Sequence, residues 1–296
     1  MLNDAADVIV VGGSYAGLSA ALQLARARQR VVVVDAGQRR NRFARTSHGF
    51  LGQDGRAAAG IAQDARTQLL AYPNVQWLAG TAVAAQAQEE GFVLTTAEQT
   101  LRAQRLVLAL GVVDELPAIE GLAERWGQSV FHCPYCHGYE LNQGRIGVLA
   151  SGEMSLHHAM LLPDWGRVTL FLNRSFVPDA AQLAALAGRG VVLEETPVVA
   201  LVDQATLLLA DGRQVVQDGL FTLTRTRLGS ALPEQLGCAL EQGPTGSYIR
   251  IGATMETTVA GVFACGDAAR AFGNVAISVG DGALAGASAH RSLIFS

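Results

Sequence analysis

The sequence "GGSYAG", residues 12–17, follows the apolar run "DVIVV" and opens an Ala- and Leu-rich stretch. A second apolar run, "RVVVVDAG" (30–37), contains Asp35, 18 residues after Gly17. This order of strand, glycine turn, helix and acid-ending strand predicts a dinucleotide-binding unit. The glycine turn lets a pyrophosphate approach the helix N-terminus, and the acid binds a ribose hydroxyl. Ser14 replaces the middle glycine and is small enough to keep the turn. The alternative is a generic tight turn between strand and helix.

The same pattern of strand, small-residue turn, helix and strand recurs at residues 145–175. Between the two copies, residues 75–111 indicate short strands and turns that end in a buried strand. After the second copy, residues 206–223 predict a hairpin around an Asp-Gly turn, and residues 262–293 a strand, a Gly-Asp turn and a small-residue helix. The predicted fold class is therefore α/β, with two three-layer, Rossmann-like nucleotide-binding domains, the second inserted in the first.

Composition narrows the function classes. A chain of 296 residues with 50% hydrophobic content has room for two domains, and its net charge of −4 gives no reason to expect a nucleic acid partner. All 22 basic residues are Arg, which excludes chemistry that needs a lysine amine. The apolar runs are too short to span a membrane, and no basic region precedes the first one. Four cysteines, only two of them close together, do not make a secreted disulfide framework, so we expect a cytoplasmic protein.

The segment "GVFACGDAA" (261–269) resembles the second FAD-binding motif of two-dinucleotide flavoproteins, in which the Asp of a Gly-Asp pair binds the ribityl–pyrophosphate region. That residue is Asp267 here. The following "GNVAIS" (273–278) stands where the resemblance places backbone contacts to the isoalloxazine. The predicted domains are a discontinuous FAD-binding domain, residues 1–113 plus 243–296, and an inserted NAD(P)H-binding-like domain, residues 114–242.

The segment "FHCPYCHGYE" (131–140) places Cys133 and Cys136 three positions apart. A zinc site needs a second ligand pair at suitable spacing, and Cys238 and Cys265 are isolated, so we predict no metal site. A static crosslink would close a very small loop in a reducing compartment and stabilise little. Redox chemistry is the remaining role, because a Cys-x-x-Cys turn that enters a helix lowers the thiol pKa.

With this pair, the chain resembles the low-molecular-weight thioredoxin reductase family of pyridine-nucleotide disulfide oxidoreductases over nearly its whole length. The resemblance rests on the two FAD motifs, the Cys-x-x-Cys and "LGCAL" (236–240). It implies FAD, a homodimer, Cys136 as the thiol next to the flavin, and Cys133 as the thiol that exchanges with the substrate. His137 stands where thioredoxin reductases carry an acid that protonates the leaving thiolate, and an imidazole can move that proton in either direction. The alternative for His137 is a solvated loop histidine.

The expected FAD contacts come from the first turn and its acid, from the segment 38–54, and from short stretches near the ends of later strands. In the segment 38–54, we expect His48, Gln53 and Asp54 to bond the flavin ring or to gate the substrate, whereas each Arg alternatively belongs to a solvated basic loop. The predicted FAD-binding residues are Gly12, Gly13, Ser14, Tyr15, Ala16, Gly17, Asp35, Ala36, Arg40, Asn41, His48, Gly52, Gln53, Asp54, Ala82, Val83, Ala109, Leu110, Gly111, Gly266, Asp267, Asn274, Val275 and Ala276.

The second nucleotide unit departs from the family pattern. Its turn, "ASGEMS" (150–155), keeps only Gly152 of the glycines. The family's His-Arg-Arg run, which binds the 2′-phosphate of NADPH, is replaced by "FLNRS" (171–175) with Arg174 alone. Each charge-assisted phosphate contact that is lost costs about 1.5–3 kcal/mol, so we expect NADPH to bind poorly. The family's Arg-Gln contact to the flavin is also absent, replaced by Gly273-Asn274.

The segments "GGSYAGLSAA", "RRNRFA", "HGFLGQDG" and "CPYCHG" are most similar to the dithiol-oxidase branch of this family, typified by gliotoxin- and holomycin-forming oxidases. The resemblance implies an FAD-dependent thiol–disulfide oxidoreductase that takes electrons from a dithiol and passes them to oxygen without NADPH. Its expected substrate is a small dithiol or disulfide, or a thioredoxin-like protein. The alternatives are a thioredoxin reductase driven by ferredoxin or NADPH, a flavin-linked redox sensor, and a direct NADPH oxidase or monooxygenase without thiol chemistry.

Overall fold

The apolar runs form strands and the Ala-rich stretches form helices in the computed structural model, which describes residues 5–295. The strands are β1 (Ala5–Val11), β2 (Val31–Asp35), β3 (Thr46–Ser47), β4 (Arg56–Ala57), β5 (Val75–Ala79), β6 (Ala82–Gln88), β7 (Gly91–Thr96), β8 (Thr100–Leu108), β9 (Val112–Glu115), β10 (Val130–Phe131), β11 (Arg145–Leu149), β12 (Arg167–Phe171), β13 (Val192–Glu194), β14 (Val198–Val202), β15 (Thr206–Leu209), β16 (Gln214–Val216), β17 (Gly219–Thr222), β18 (Arg225–Leu228), β19 (Leu240–Gln242), β20 (Ser247–Ile249) and β21 (Val262–Ala264). The helices are α1 (Tyr15–Arg26), α2 (Ala58–Leu70), α3 (Pro134–His137), α4 (Ser155–Leu161), α5 (Ala180–Gly188), α6 (Leu232–Leu236) and α7 (Val275–Ser292).

The first of two structural units is built on a sheet in the order β5-β2-β1-β8-β7-β6, with β21 also paired to β8. Strands β1, β2, β5, β8 and β21 are parallel, whereas β6 and β7 add an antiparallel edge. Alternate residues of β1 enter different core clusters on the two faces: Val8 and Val10 on one face, Ile9 and Val11 on the other. The central strand is therefore apolar throughout, as a parallel sheet covered on both faces requires.

Helices α1 and α7 pack against each other on one face of this sheet through small residues. A Cβ atom added to Gly282 would collide with the carbonyl of Ala16, and one added to Gly286 would collide with the carbonyl of Ala20. The absence of side chains at these two positions lets the helix backbones come into contact. The contact places the beginning of α7 close to the beginning of α1.

The second unit contains a parallel sheet in the order β10-β17-β11-β12-β13, with α4 and α5 as crossover helices. A separate antiparallel sheet, β14-β15-β16, includes the predicted hairpin, whose turn is made by Asp211 and Gly212 with φ +84° at the glycine. Strand β17 leaves this hairpin and joins the parallel sheet. Both units are thus α/β, which confirms the predicted fold class.

The unit boundaries differ from the predicted domains at two segments. The first unit comprises Met1–Arg40, Ala58–Val113 and Thr226–Ser296, and the second comprises Asn41–Ala57 and Asp114–Arg225.

Residues 226–242 join the first unit because Leu232 and Leu236 of α6 enter its core and Gln235 accepts a hydrogen bond from the Ala85 amide. Residues 41–57 join the second unit because Phe43 packs on Gly127 and His48 contacts Glu140. Both groupings arise from contacts that are distant in sequence.

Among residues 5–295, no helix is long and apolar enough to cross a membrane. Within the same range, no group of three or more His, Cys, Asp and Glu side chains is arranged to hold a metal ion.

The contact between α1 and α7 predicts a difference in stability between two glycine substitutions in the same helix. Gly286→Val would push the helix backbones apart, and we expect the free energy of unfolding to fall by about 1–3 kcal/mol. Gly280→Ala is the matched control, because a Cβ there meets no atom within 4 Å, and we expect a gain of about 0.4–1 kcal/mol. Urea denaturation measures both. Equal effects of the two substitutions would contradict the proposed close contact.

Candidate active site

The turn between β1 and α1 is closed by glycines that no other residue can replace without movement. Gly12 has φ +106°, and a Cβ on it would collide with the Ala109 carbonyl. A Cβ on Gly17 would collide with the Gly12 carbonyl. The amide of Gly13 donates to Asp35 Oδ1 at 3.0 Å, so the acid at the end of β2 is fixed beside the turn. This arrangement brings together five of the residues predicted to bind FAD.

The N-terminus of α1 has the features of a phosphate site. The N-cap residue is Ser14 in an extended conformation, and its side chain makes no capping hydrogen bond. The amides of the first helical turn are therefore not satisfied by a side-chain cap, and the partial positive charge of a helix N-terminus favours an anion. The glycine cradle, these amides and Asp35 fit the pyrophosphate and ribose of a dinucleotide.

Trp77 also belongs to this turn, and the sequence analysis did not identify it. A Cβ on Gly13 would collide with the Trp77 ring, so the indole lies directly against the turn. The guanidinium of Arg66 lies 4.2 Å from the ring centroid of Trp77. Trp77 is on β5, which pairs with β2 in the register Val33 with Trp77. The position of Trp77 beside Gly13 follows only from the order of strands in the sheet.

The C-terminal motif reaches the same turn within the first unit. A Cβ on Gly266, which has φ +68°, would come within 2.9 Å of the Ala16 Cβ. Asp267 forms an ion pair with Arg40 at 2.9 Å, so two predicted FAD-binding residues contact each other. Asn274 caps α7 by accepting from the Ile277 amide at 2.8 Å.

The remaining predicted FAD-binding residues are divided between the units. Ala82 and Val83 lie at the start of β6, and Leu110 and Gly111 follow β8, all in the first unit. The residues that lie in the second unit are Asn41, His48, Gly52, Gln53 and Asp54.

Cys133 and Cys136 form a disulfide in the second unit, with a Cα–Cα distance of 5.3 Å. Cys133 is the extended N-cap of the four-residue helix α3, Pro134 occupies its first position, and Cys136 lies within it. Proline suits this position because its fixed φ is helical and its missing amide needs no partner. Tyr135, between the cysteines, is 71% exposed and contacts Trp165 edge to face at 5.3 Å between ring centroids.

His137, the last residue of α3, stacks on Phe131 with 4.3 Å between ring centroids. Burial, and then the charge of His48, lower the pKa of His137 to about 4. The imidazole is therefore neutral at pH 7 and able to accept a proton. A solvated loop histidine would keep an ordinary pKa, so this environment disfavours that alternative.

His48 links the loop between β3 and β4 to the disulfide region. Its Nδ1 lies 3.6 Å from Asp54 Oδ1, and its Nε2 lies 3.5 Å from Glu140 Oε1 and 3.1 Å from Thr46 Oγ1. Asp54 also accepts from the Gly49 amide at 2.8 Å, which closes the loop. Glu140 follows His137 by three residues, so His48 is held beside the helix that carries Cys136.

His158 supports the disulfide segment from the other side. This α4 residue is buried, and its ring forms a hydrogen bond to the backbone of His132, next to Cys133. Burial, together with the charge of His157, lowers the pKa of His158 to about 4, although the hydrogen bond to His132 acts in the opposite direction. His158 is thus a neutral structural group that fixes the residue before Cys133.

The turn of the second nucleotide unit is closed by its own side chains. Ser155 Oγ accepts from the Ser151 amide at 3.0 Å, and Ser151 Oγ donates to the Leu223 carbonyl at 2.7 Å. Glu153 places a carboxylate on the turn, where Gln182 of α5 donates to it at 2.7 Å. A phosphate at this turn would compete with Ser155 for an amide and would be repelled by Glu153.

The chain is similar to known proteins over nearly its whole length. The profile of the pyridine nucleotide-disulphide oxidoreductase family matches residues 6–282. A protein of Claviceps purpurea named thioredoxin reductase tcpT is 34% identical over 304 residues, covering 97% of this chain and 94% of the relative. The crystal structure of an oxidoreductase from Agrobacterium tumefaciens is 54% identical, with a TM-score of 0.96 and coverage of 98% of this chain and 99% of that one. The crystal structure of HlmI is 34% identical, with a TM-score of 0.90 and coverage of 97% and 92%.

The two buried histidines predict that stability falls in acid. The folded protein protonates His137 and His158 only near pH 4, whereas the unfolded chain does so near 6.5. The unfolded state therefore binds more protons between these values, so the free energy of unfolding decreases as pH falls from 6.5 to 4, by up to about 1.4 kcal/mol per pH unit for each histidine.

Urea denaturation between pH 7 and 4.5 measures this slope. We expect His158→Gln to reduce this slope by the contribution of one histidine, which is up to about 1.4 kcal/mol per pH unit. A wild-type slope in His158→Gln would contradict the assignment of a neutral buried imidazole.

Proposed function

The chain belongs to the pyridine nucleotide-disulphide oxidoreductase family, and we propose that within it the protein is an FAD-dependent enzyme that oxidises dithiol substrates without NADPH. It is a disulfide oxidoreductase of the thioredoxin reductase type, which confirms the family resemblance predicted from the sequence. One observation carries the proposal: Cys133 and Cys136 form a disulfide, and the next residue, His137, has an imidazole that is neutral at pH 7.

Flavin is the cofactor that this family implies, and FAD is the form that the first unit fits. The glycine turn from Gly12 to Gly17, the uncapped amides of α1 and the carboxylate of Asp35 suit its pyrophosphate and ribose. Asp267 and Asn274 are proposed to contact the rest of the cofactor. When bound, FAD supplies an acceptor for the electron pair of the reduced cysteines.

Electrons pass only between the substrate and the cysteines in the thiol exchange. A substrate thiolate attacks Sγ of Cys133, a mixed disulfide forms, the bond to Cys136 breaks, and Cys136 leaves as a thiolate. The second substrate thiolate attacks the substrate sulfur of the mixed disulfide and releases Cys133. The substrate is now a disulfide, the protein holds a dithiol, and two electrons have moved to the cysteine pair. Each substrate thiol has lost a proton.

The pKa of His137 favours this direction of electron flow. Oxidation of a dithiol needs a base for the substrate protons, whereas reduction of a disulfide needs an acid for the leaving thiolate. An imidazole with a pKa of about 4 is unprotonated at pH 7, so it can accept a hydrogen bond or a proton but has no proton to give to a leaving thiolate. Burial against Phe131 and the nearby charge of His48 thus disfavour His137 as the acid that disulfide reduction needs, and they leave it as a weak base.

The second nucleotide turn supports independence from NADPH. Its amide at Ser151 is bonded by Ser155, and Glu153 adds a negative charge where a pyrophosphate would bind. Arg174 alone stands where the family has a phosphate-binding run, and with φ +57° it follows Asn173 in a left-handed turn. We propose that this unit has kept the Rossmann fold as a scaffold for the disulfide.

A second candidate is a thioredoxin reductase that receives electrons from ferredoxin or NADPH and passes them through the same cysteines. The name of the Claviceps purpurea relative favours it. A flavin-linked redox sensor, the third alternative, would be reduced once without repeated turnover. The homodimer, the cytoplasmic location and a ferredoxin partner stay predictions from the sequence.

Anaerobic reduction of the flavin distinguishes these candidates. Dithiothreitol, NADPH, NADH and reduced ferredoxin are added in parallel to the holoprotein, and the loss of the flavin absorption band is followed. We expect rapid, saturable reduction by dithiothreitol alone, because the dithiol enters through Cys133. Cys136→Ser should abolish it, since no disulfide remains to be exchanged.

The matched control is Cys238→Ser, at a buried thiol that forms no disulfide. Rapid saturable reduction by NADPH would overturn the claim of independence from NADPH. Full dithiol turnover by Cys136→Ser would overturn the mechanism itself.

Replacement of the base gives a separate prediction. His137→Gln keeps a polar side chain but accepts no proton, and we expect the rate of exchange with dithiothreitol at pH 7 to fall by up to about 10²-fold, the low end of the range for general bases, because a low pKa makes His137 a weak base. The loss should diminish at high pH, where the substrate is already a thiolate. Stopped-flow absorbance measures the rate, with His290→Gln as the control. An unchanged rate at pH 7 would show that His137 is not the base.

A further inference from the structure

The loop between β21 and α7, residues 265–274, carries three predicted FAD-binding residues, Gly266, Asp267 and Asn274. Its only regular structure is a short 3-10 turn at Gly266–Ala269. A loop without ladder hydrogen bonds needs side-chain contacts to keep one conformation. The contacts of this loop therefore decide how well it presents its residues to a ligand.

Arg270, in the middle of the loop, binds Asp281 on the second turn of α7. Its Nε and Nη2 atoms each lie 2.6 Å from a different carboxylate oxygen, which makes the pair bidentate. The Asp281 side chain is only 6% exposed. A buried carboxylate held by a guanidinium fork is fixed in direction as well as in charge. The pair thus attaches the loop to the body of α7.

The surroundings of Asp281 connect this pair to the first nucleotide turn. Its neighbour Gly282 is in backbone contact with Ala16 of α1. Cys265, where the loop begins, is fully buried, and burial together with the charge of Asp281 raises the pKa of its thiol. Asp281 therefore lies where α1, α7 and the start of the loop meet.

The other contacts of the loop's candidate residues are a partly buried ion pair and two local contacts. Asp267 pairs with Arg40, and a Cβ on Gly273 would come within 2.5 Å of Asp267 Oδ1. Asn274 bonds the amide of Ile277, three residues away. The contact that joins the loop to a buried group of the helix is that of Arg270.

We propose that Arg270 and Asp281 are a positioning pair that holds the loop 265–274 in the conformation that binds the flavin nucleotide. The pair acts through Gly266, Asp267 and Asn274 and does not take part in the thiol exchange. The proposal rests on the proposed function only for the identity of the cofactor. It assigns flavin affinity, not redox chemistry, to these two residues.

Titration of the flavin-free protein with FAD, followed by quenching of FAD fluorescence, tests the proposal. Arg270→Lys keeps the positive charge but removes the bidentate fork. We expect affinity for FAD to fall roughly 10- to 100-fold, the range found when groups that orient direct ligands are removed. Asp281→Asn should weaken binding in the same direction.

Arg250→Lys is the matched control, because Arg250 and Glu241 form an ion pair on the surface, with side chains 57% and 39% exposed. We expect its FAD affinity to equal that of the wild type. An Arg270→Lys variant that binds FAD within twofold of the wild type would overturn the proposal.

Urea unfolding of the flavin-free variants separates positioning from general stability. Lower stability of Arg270→Lys with unchanged FAD affinity would assign the pair a merely structural role and overturn the proposal. The FAD titration involves no thiol, so its result does not depend on dithiol oxidation. A wild type that binds FAD but fails to oxidise dithiols would overturn only the proposed function. A wild type that does not bind FAD would overturn both.

Discussion

Contact between the backbones of two helices is the constraint on which the nucleotide-binding unit depends. Gly282 and Gly286 on α7 meet the carbonyls of Ala16 and Ala20 on α1, a fit that even one added methyl group would disturb. Because α1 begins at the glycine turn and α7 begins after the flavin-motif loop, this contact brings segments from opposite ends of the chain to one place. The buried charge of Asp281 then attaches the loop to the same helix pair. The arrangement of the predicted dinucleotide site is thus a consequence of small residues in the helix interface.

The two units use one architectural position, the turn between a strand and a helix, in different ways. In the first unit, Gly17 lets the start of α1 pack directly against the Gly12 carbonyl, and the Ser14 side chain makes no cap on the helix amides. In the second, Ser155 fills the corresponding position and bonds the turn internally. The second helix contributes instead through His158, which supports the backbone next to Cys133. One copy of the fold thus suits a cofactor, whereas the other supports a disulfide and the histidine that follows it in sequence.

Features set by neighbouring residues could be predicted from the sequence, and features set by distant contacts could not. The first turn and Asp35 were predictable because strand, glycines and acid lie within 30 residues and obey local geometry. Trp77 was missed because its position beside Gly13 depends on the order of strands in the sheet. The neutrality of His137 was not predicted, since it arises from Phe131 and His48, neither of them adjacent to it in sequence. No change of composition marks residues 41–57 as part of the second unit.

The membership of residues 41–57 in the second unit has a consequence for how the protein is made. These residues leave the ribosome early, but Glu140, the partner of His48, is synthesised about 90 residues later, a delay of roughly 5–20 s at the usual rates of translation. During that time Phe43 and His48 have no Gly127 or Glu140 to pack against. The second unit is completed only after residue 225 has emerged, while the strand β21 that completes the first sheet follows later still. An N-terminal fragment that ends before residue 225 therefore completes neither unit, and one that ends between residue 225 and β21 still leaves the first sheet incomplete and exposed to aggregation and proteolysis.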